Sequence, residues 1–251
     1  MAKPRRRADE LLVARALADD LHRAQALILA GHVVAGERRV DKPGQPLAED
    51  VPLRLTGIKH GRYVSRGGDK LQSALEALQV SVEGAHCLDL GASTGGFCDC
   101  LLQHGAARVL AVDVGYGLLA DKLRRDPRIT LRERTHVREL RRETLEFPVD
   151  FVTADLSFIA LQPLLAGILA LPEPGGRLLL MVKPQFEAAR GEVGEGGVVR
   201  DDALRRALVQ RVLDEAVRCG AELLGQADSQ VAGPAGNREV FVLLRRPLHG
   251  A

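Results

Sequence analysis

Four residues of this 251-residue chain have the types and placement to handle charge and protons together: Lys70, Asp155, Lys183 and Glu239. Asp155 follows the hydrophobic run Phe151-Val152-Thr153-Ala154, and Lys183 follows the run from Leu178 to Val182. Open α/β sheets bind ligands beyond the carboxyl ends of such strands. Glu239 opens a last apolar run within Gly-Asn-Arg-Glu-Val-Phe, and Lys70 heads a helical stretch over 69–78. Around one pocket, two lysines and two acids are neutral as a set. Such a set either depresses a lysine pKa by burial and like charge or holds it high by pairing. A lysine at its ordinary pKa of ~10.4 is a poor base near neutrality unless depressed.

A ligand loop accompanies them. Asp89-Leu90-Gly91-Ala92-Ser93-Thr94-Gly95-Gly96-Phe97 follows a short buried strand, Cys87 to Leu90, and opens a helix. Glycines let such a turn run tightly and approach a ligand closely. The spacing is Asp-x-Gly-x-Ser-x-Gly rather than Gly-x-Gly-x-x-Gly. That variant, with an acid at the strand end, resembles the loops of S-adenosylmethionine-binding proteins, and an acid there suits a ligand that is cationic near its amino-acid end. Asp113 ends the next strand, 22 positions after Gly91, where an acid accepts hydrogen bonds from ribose hydroxyls.

These residues need a scaffold of alternating strands and helices, and the sequence from His86 onward supplies it. Strands are predicted at 108–113, 129–131, 149–154, 177–182, 221–228 and 239–244, with helices at 97–104, 118–125, 161–170 and 201–220. That alternation argues for a doubly wound, mainly parallel, Rossmann-like sheet. Residues 9–30 have helical spacing broken at Asp19-Asp20, and short strands follow to residue 55. Residues 1–8 read as frayed, and the Gly-rich, basic stretch 59–68 as a linker. The expected layout is therefore a small α/β domain over 1–58, a linker over 59–68 and a Rossmann-like domain over 69–251.

Net charge is +2, but it is uneven: residues 1–70 hold 14 Lys and Arg against 9 Asp and Glu, the remainder 21 against 24. A basic front on a near-neutral body suits a polyanion-binding module. Cys87, Cys98, Cys100 and Cys219 lack zinc-site spacing and read as thiols in a reducing compartment, so no metal is expected. No apolar stretch fits a secretion signal, and no run of ~18 apolar residues exists, so a cytoplasmic protein without membrane spans is expected.

Taken together, Tyr63-Val-Ser-Arg-Gly-Gly-Asp-Lys-Leu71, Asp89 to Phe97, Asp155-Leu-Ser-Phe158 and Lys183-Pro-Gln-Phe-Glu187 resemble the TlyA family of ribosomal RNA cytidine-2′-O-methyltransferases, within the wider FtsJ-like methyltransferases. The resemblance implies that Lys70, Asp155, Lys183 and Glu239 are the catalytic tetrad, with Lys183 activating a ribose 2′-hydroxyl. It implies S-adenosylmethionine held by Asp89, Gly91, Ser93, Gly95, Gly96, Phe97, Asp113 and His136, the last standing where the family usually has Asn. The front of the chain, from Arg7-Ala-Asp-Glu-Leu-Leu-Val to Val40-Asp-Lys-Pro-Gly44, resembles an S4 RNA-binding domain, although His22-Arg23 replaces Ser-Arg. Arg7, Arg15, Arg23 and Lys42, with Arg62 and Arg66 of the linker, are then candidate RNA contacts, and ribosomal RNA or ribosomal subunits the expected partners. Rival readings are a non-catalytic rRNA-binding protein, a membrane-active haemolysin, a pseudouridine synthase and a base methyltransferase. The intact tetrad opposes the first, the absence of a pore segment the second and the cofactor loop the third. Base methylation is opposed only by Asp155-Leu-Ser-Phe158 standing in place of an Asn/Asp-Pro-Pro-aromatic motif.

Overall fold

The structure is a computed structural model and describes residues 4–15, 17–18, 20–56, 62–189, 191–233 and 236–248. At the front, β1 (Arg5–Arg7) runs into α1 (Ala8–Ala14), and α2 (Leu21–Leu29) follows. Asp20 caps α2 by accepting the Arg23 backbone N–H at 2.7 Å, so the break falls ahead of Leu21 as the acidic pair suggested. Asp19 lies outside the described residues. β2 (Val33–Ala35), β3 (Arg38–Arg39), β4 (Pro46–Ala48) and β5 (Leu53–Leu55) complete this unit. Strands β3, β2 and β5 form one antiparallel sheet, and β1 pairs with β4. Residues 5–7, expected to fray, are thus a strand: three arginines give no hydrophobic pattern, and pairing with β4 together with ion pairs from Arg6 and Arg7 to Glu10 and Asp9 holds them. Leu11, Leu12, Leu27, Ile28, Val33 and Leu47 pack into a core of their own.

The remainder comprises α3 (Arg66–Ala77), β6 (His86–Leu90), α4 (Gly96–Gln103), β7 (Arg108–Val112), α5 (Asp121–Arg124), β8 (Ile129–Arg132), β9 (Phe151–Ala154), α6 (Leu165–Leu169), β10 (Arg177–Val182), α7 (Pro184–Glu187), α8 (Asp202–Arg218), β11 (Glu222–Asp228) and β12 (Val240–Arg245). The strand order is β11-β12-β10-β9-β6-β7-β8. β12 is antiparallel to both neighbours and every other pair is parallel, which meets the expectation of a mainly parallel Rossmann-like sheet. Successive residues alternate between two buried faces. Cys87, Val109, Phe151, Leu179 and Phe241 meet α3 and α4 on one side. Leu88, Leu110, Val152, Leu180 and Val242 meet α6 and α8 on the other. Burial on both faces is why these strands read as unbroken apolar runs. Chain order reverses between β6 and β9, which makes the crevice beyond their carboxyl ends the natural ligand site.

Two segments differ from the sequence reading. The first linker residues, 59–61, and the boundary at 58 lie outside the described residues. Residues 62–68 do not behave as a spacer: Tyr63 is buried, Val64 N–H donates to Asp99 at 2.8 Å, and α3 begins at Arg66 rather than Asp69. Glycines here serve contact, since a Cβ on Gly68 would stand 2.2 Å from the Tyr63 ring. The helix expected over 161–170 splits into a single 3₁₀ turn, Gln162–Leu164, containing Pro163, and the short α6.

Candidate functional site

Past Leu90 the chain turns at Gly91 (φ +83°), where a Cβ would stand 2.9 Å from the Asp155 carbonyl oxygen, so only glycine lets these two strand ends close together. Asp113 staples the loop to its neighbour. Its Oδ2 accepts the Ser93 N–H at 2.8 Å and its Oδ1 the Gly115 N–H at 2.6 Å. Each carboxylate oxygen has two lone pairs, so both keep capacity for a ligand hydroxyl. A Cβ on Gly96 would stand 2.2 Å from Ser65 Oγ and 3.1 Å from Gly67 Cα, so the first turns of α3 and α4 meet backbone to backbone.

The loop floors a cleft of about 990 Å³, large for a single small-molecule pocket. Gly91, Ser93, Gly96, Phe97, Asp113 and His136 line it, as do all four of Lys70, Asp155, Lys183 and Glu239. His136 Nδ1 accepts the Arg138 N–H at 3.1 Å, which leaves Nε2 as the free ring nitrogen. Two expected cofactor residues do not reach the cleft. Gly95 packs beneath it, where a Cβ would stand 2.3 Å from Leu123 Cδ1. Asp89 is wholly buried one pleat below the strand end, with Oδ2 accepting from Cys98 Sγ at 3.0 Å and Oδ1 from Thr153 Oγ1 at 2.9 Å. Burial pushes its pKa up to about 7 against the opposing pull of these two hydrogen bonds.

The tetrad is two ion pairs. Lys70 Nζ donates to Glu239 Oε2 at 2.5 Å, both side chains almost sealed from solvent. Lys183 Nζ lies 2.6 Å from Asp155 Oδ1 and donates to Ser157 Oγ at 2.8 Å. Burial works to raise the Asp155 pKa, but the charges of Lys183 and Lys70 overcome it and hold the carboxyl below its ordinary value. Ser157 escaped the sequence reading, as did Gln185, whose Nε2 donates to Glu239 Oε1 at 3.5 Å. Only their adjacency to Asp155 and Lys183 could have signalled them. Glu187, raised in pKa by burial, accepts the Leu161 N–H at 2.6 Å and so ties α7 to the segment beyond Asp155. Phe158, at φ +66° and exposed, tilts against Phe186 at 5.4 Å on the rim; that backbone strain has no sequence signature.

The six expected RNA contacts are dispersed. Lys42 and Arg66 line the cleft. Arg7 is held by Asp9 through contacts of 3.0 and 2.7 Å. Arg15 donates to the carbonyls of Val51 and Glu49, bracing α1 against that turn. Arg23 and Arg62 are exposed, the latter over the Tyr63 ring at 5.5 Å.

Residues 63–246 match the family model of FtsJ-like methyltransferases. The 16S/23S rRNA (cytidine-2′-O)-methyltransferase TlyA of Mycobacterium tuberculosis is 44% identical over 241 residues, covering 96% of this chain and 90% of that protein. A solved structure of a Streptococcus thermophilus chain carrying a hemolysin label superimposes with a TM-score of 0.74 at 37% identity, covering 99% of this chain and 91% of the other. The fibrillarin of Aeropyrum pernix, solved with natively bound S-adenosyl-L-methionine, shares the fold at 17% identity and a TM-score of 0.50, covering 71% of this chain and 76% of its own. No helix among the described residues is long and apolar enough to cross a membrane.

Proposed function

The chain belongs to the FtsJ-like methyltransferases, within their TlyA branch, and on that premise we propose that it methylates the 2′-hydroxyl of a cytidine ribose in the RNA of the small ribosomal subunit, the large one or both. The observation that carries this reading is the meeting of two lysine–carboxylate pairs and a glycine loop in one cleft at the switch point of the sheet. The donor set fits S-adenosylmethionine. Gly91, Ser93, Gly96 and Phe97 would hold its amino-acid half, Asp113 its ribose diol, and His136 would flank its base. When bound, that molecule supplies an electrophilic methyl group on a sulfonium.

The chain's own side chains prepare the acceptor. An ammonium has three N–H donors. Lys183 donates one to Ser157 and stands against Asp155 as an ion pair, which leaves donor capacity for a substrate oxygen. Lys183 thereby orients the hydroxyl and offsets the negative charge that grows on its oxygen as the bond to the methyl forms, the hydroxyl proton passing to solvent water. Asp155 stays ionised beside it because two cations face it. Lys70 and Glu239 keep the four-residue set neutral and, through Gln185, fix the turn that follows Lys183.

The front unit, expected over 1–58, serves RNA binding in this reading. Lys42 and Arg66 on the cleft and the exposed Arg23 and Arg62 are the stronger candidates for phosphate contact, whereas Arg15 is committed to its own fold. A cytoplasmic setting follows from a ribosomal substrate. The test is incubation with labelled S-adenosylmethionine and ribosomal subunits from a strain lacking the enzyme, followed by mapping of the label. A ribose methyl at one or two cytidines is expected. Label on a base, or on neither subunit, overturns the reading.

A further inference from the structure

Arg39, on β3, and Arg66, the first residue of α3, come from the two halves of the chain; Arg66 lines the cleft, as do Asp41 and Lys42 just beyond Arg39. Neither guanidinium finds what it needs. Arg39 lies over Gly31, where a Cβ would stand 1.5 Å from its Nη2, and its Nε and Nη2 are sealed from solvent with no hydrogen-bond partner. Nε of Arg66 is in the same state, and so is Oδ1 of Asp41. Arg39 Nε and Asp41 Oδ1 are 3.7 Å apart, beyond hydrogen-bond length. Burial first, then the charge of Arg66, drives the Arg39 pKa down, so Arg39 sits unfavourably beside that second cation. Lys42 adds a further positive charge on the cleft wall.

Buried donors without acceptors destabilise a fold, and two arginines brought together without an intervening anion do so twice over. An oxyanion with several acceptor oxygens removes both penalties, because the guanidinium fork matches tetrahedral phosphate. We propose that Arg39 and Arg66 close on one backbone phosphate of the RNA substrate, so that a strand entering the cleft is gripped by both halves of the protein at once. This rests on the reading of RNA as the substrate. It makes RNA the bridge that draws the front unit onto the catalytic unit, and it assigns a role to Arg39 that its sequence context did not suggest.

The experiment uses the full chain, with Arg39→Gln, Arg66→Gln and the double variant, the first of these keeping much of the side-chain stem over Gly31. Affinity for purified ribosomal subunits is measured across a range of salt concentrations, with thermal melts to verify folding and calorimetry of S-adenosylmethionine alone for Arg39→Gln. Each single variant is expected to weaken RNA binding about tenfold and to flatten the salt slope by about one unit. The double variant is expected to be no worse than about the weaker single, since one phosphate is shared. Cofactor affinity of Arg39→Gln is expected to stay within about twofold of wild type. Multiplying losses mean two separate phosphates and overturn the shared grip. Unchanged RNA affinity in well-folded variants overturns it too. Loss of cofactor affinity in Arg39→Gln assigns the anion to the cofactor carboxylate and overturns the RNA assignment. Absence of RNA binding by the wild type overturns the substrate reading itself, and the grip with it.

Discussion

Asp89 and Asp155 stand at the ends of neighbouring parallel strands, on the same face of the sheet, and have opposite electrostatics. Asp89 registers with Thr153, and Asp155 is two residues further along the chain, just past the end of β9. Two residues of strand rise about 6.6 Å. That step separates a carboxyl sealed between Cys98 and Thr153 from one that opens on the cleft beside Lys183 and Ser157. Burial raises the pKa of both, but only Asp155 has cations to reverse the effect. One pleat of depth therefore decides whether an acid supports the loop from beneath or meets the substrate above it.

Removing the cation should erase that difference and produce the largest effect. Lys183→Ala is expected to lower methyl transfer roughly 10³-fold, within the range for loss of a group that stabilises charge developing on the reacting oxygen, with S-adenosylmethionine binding nearly unchanged by calorimetry. The Asp155 carboxyl should then titrate higher, towards Asp89, when followed by carbonyl-carbon NMR. Transfer at the wild-type rate would remove Lys183 from the chemistry. The sealed pair answers differently. Lys70→Ala leaves Glu239, 1% exposed, without its cation. Breaking one side of a buried pair destabilises by about 3–5 kcal/mol, and Lys70→Met with Glu239→Leu should recover most of it. Thermal melts decide this, and an unshifted Lys70→Ala would mean that the pair is not sealed in solution.

Much of this was legible in the sequence. Strand β10 appears over its full length because its apolar run is buried on both faces. The four charged residues converge because Asp155 and Lys183 follow parallel strands, Glu239 precedes the antiparallel β12 and Lys70 lies in the first turns of α3, all at the same end of the sheet. Asp89 misled because an acid written next to a glycine loop looks like a loop residue, and only the pleat reveals that its side chain turns under α4. Gly67 and Gly68 misled in the opposite direction: glycine density reads as a flexible linker, whereas here the missing Cβ atoms let α3 approach α4 and Tyr63. Ser157 and Gln185 stand inside the motifs at Asp155 and Lys183, but their roles were not legible because their partners, Lys183 and Glu239, are distant in sequence.

The Asp89 half of the comparison carries its own pH signature. Its folded pKa, about 7, lies above the unfolded carboxyl value of 3.8, so between those limits the folded state holds a proton that the unfolded state has lost. Stability contributed by this site is full below about pH 4, declines as pH rises and is flat above about pH 7. Asp89→Asn, which is neutral throughout, should therefore gain on wild type by up to roughly 3–4 kcal/mol between those limits. Urea titrations at several pH values measure it. A gap independent of pH would mean that Asp89 is ionised in the fold and that depth does not distinguish it from Asp155.

A buried polar residue without charge should show burial alone, and Asn237 provides that case at the smallest scale. It is 3% exposed; its Oδ1 accepts the Val199 N–H at 3.0 Å and its Nδ2 donates to the Gly197 carbonyl at 2.9 Å. These bonds pin the loop carrying Val193, Gly196 and Gly197, a wall of the cleft, to the segment that leads into Glu239. Asn237→Ala removes both and strands one donor and one acceptor, an expected loss of about 1–2 kcal/mol. Because no proton is involved, that loss should be the same at pH 5 and pH 8, unlike the Asp89→Asn gap. Because the loop walls the cleft rather than touching Lys183, KM for the RNA should rise more than kcat falls. A kcat defect with unchanged KM would place Asn237 with the tetrad and show that the loop positions Glu239 as well as enclosing the substrate.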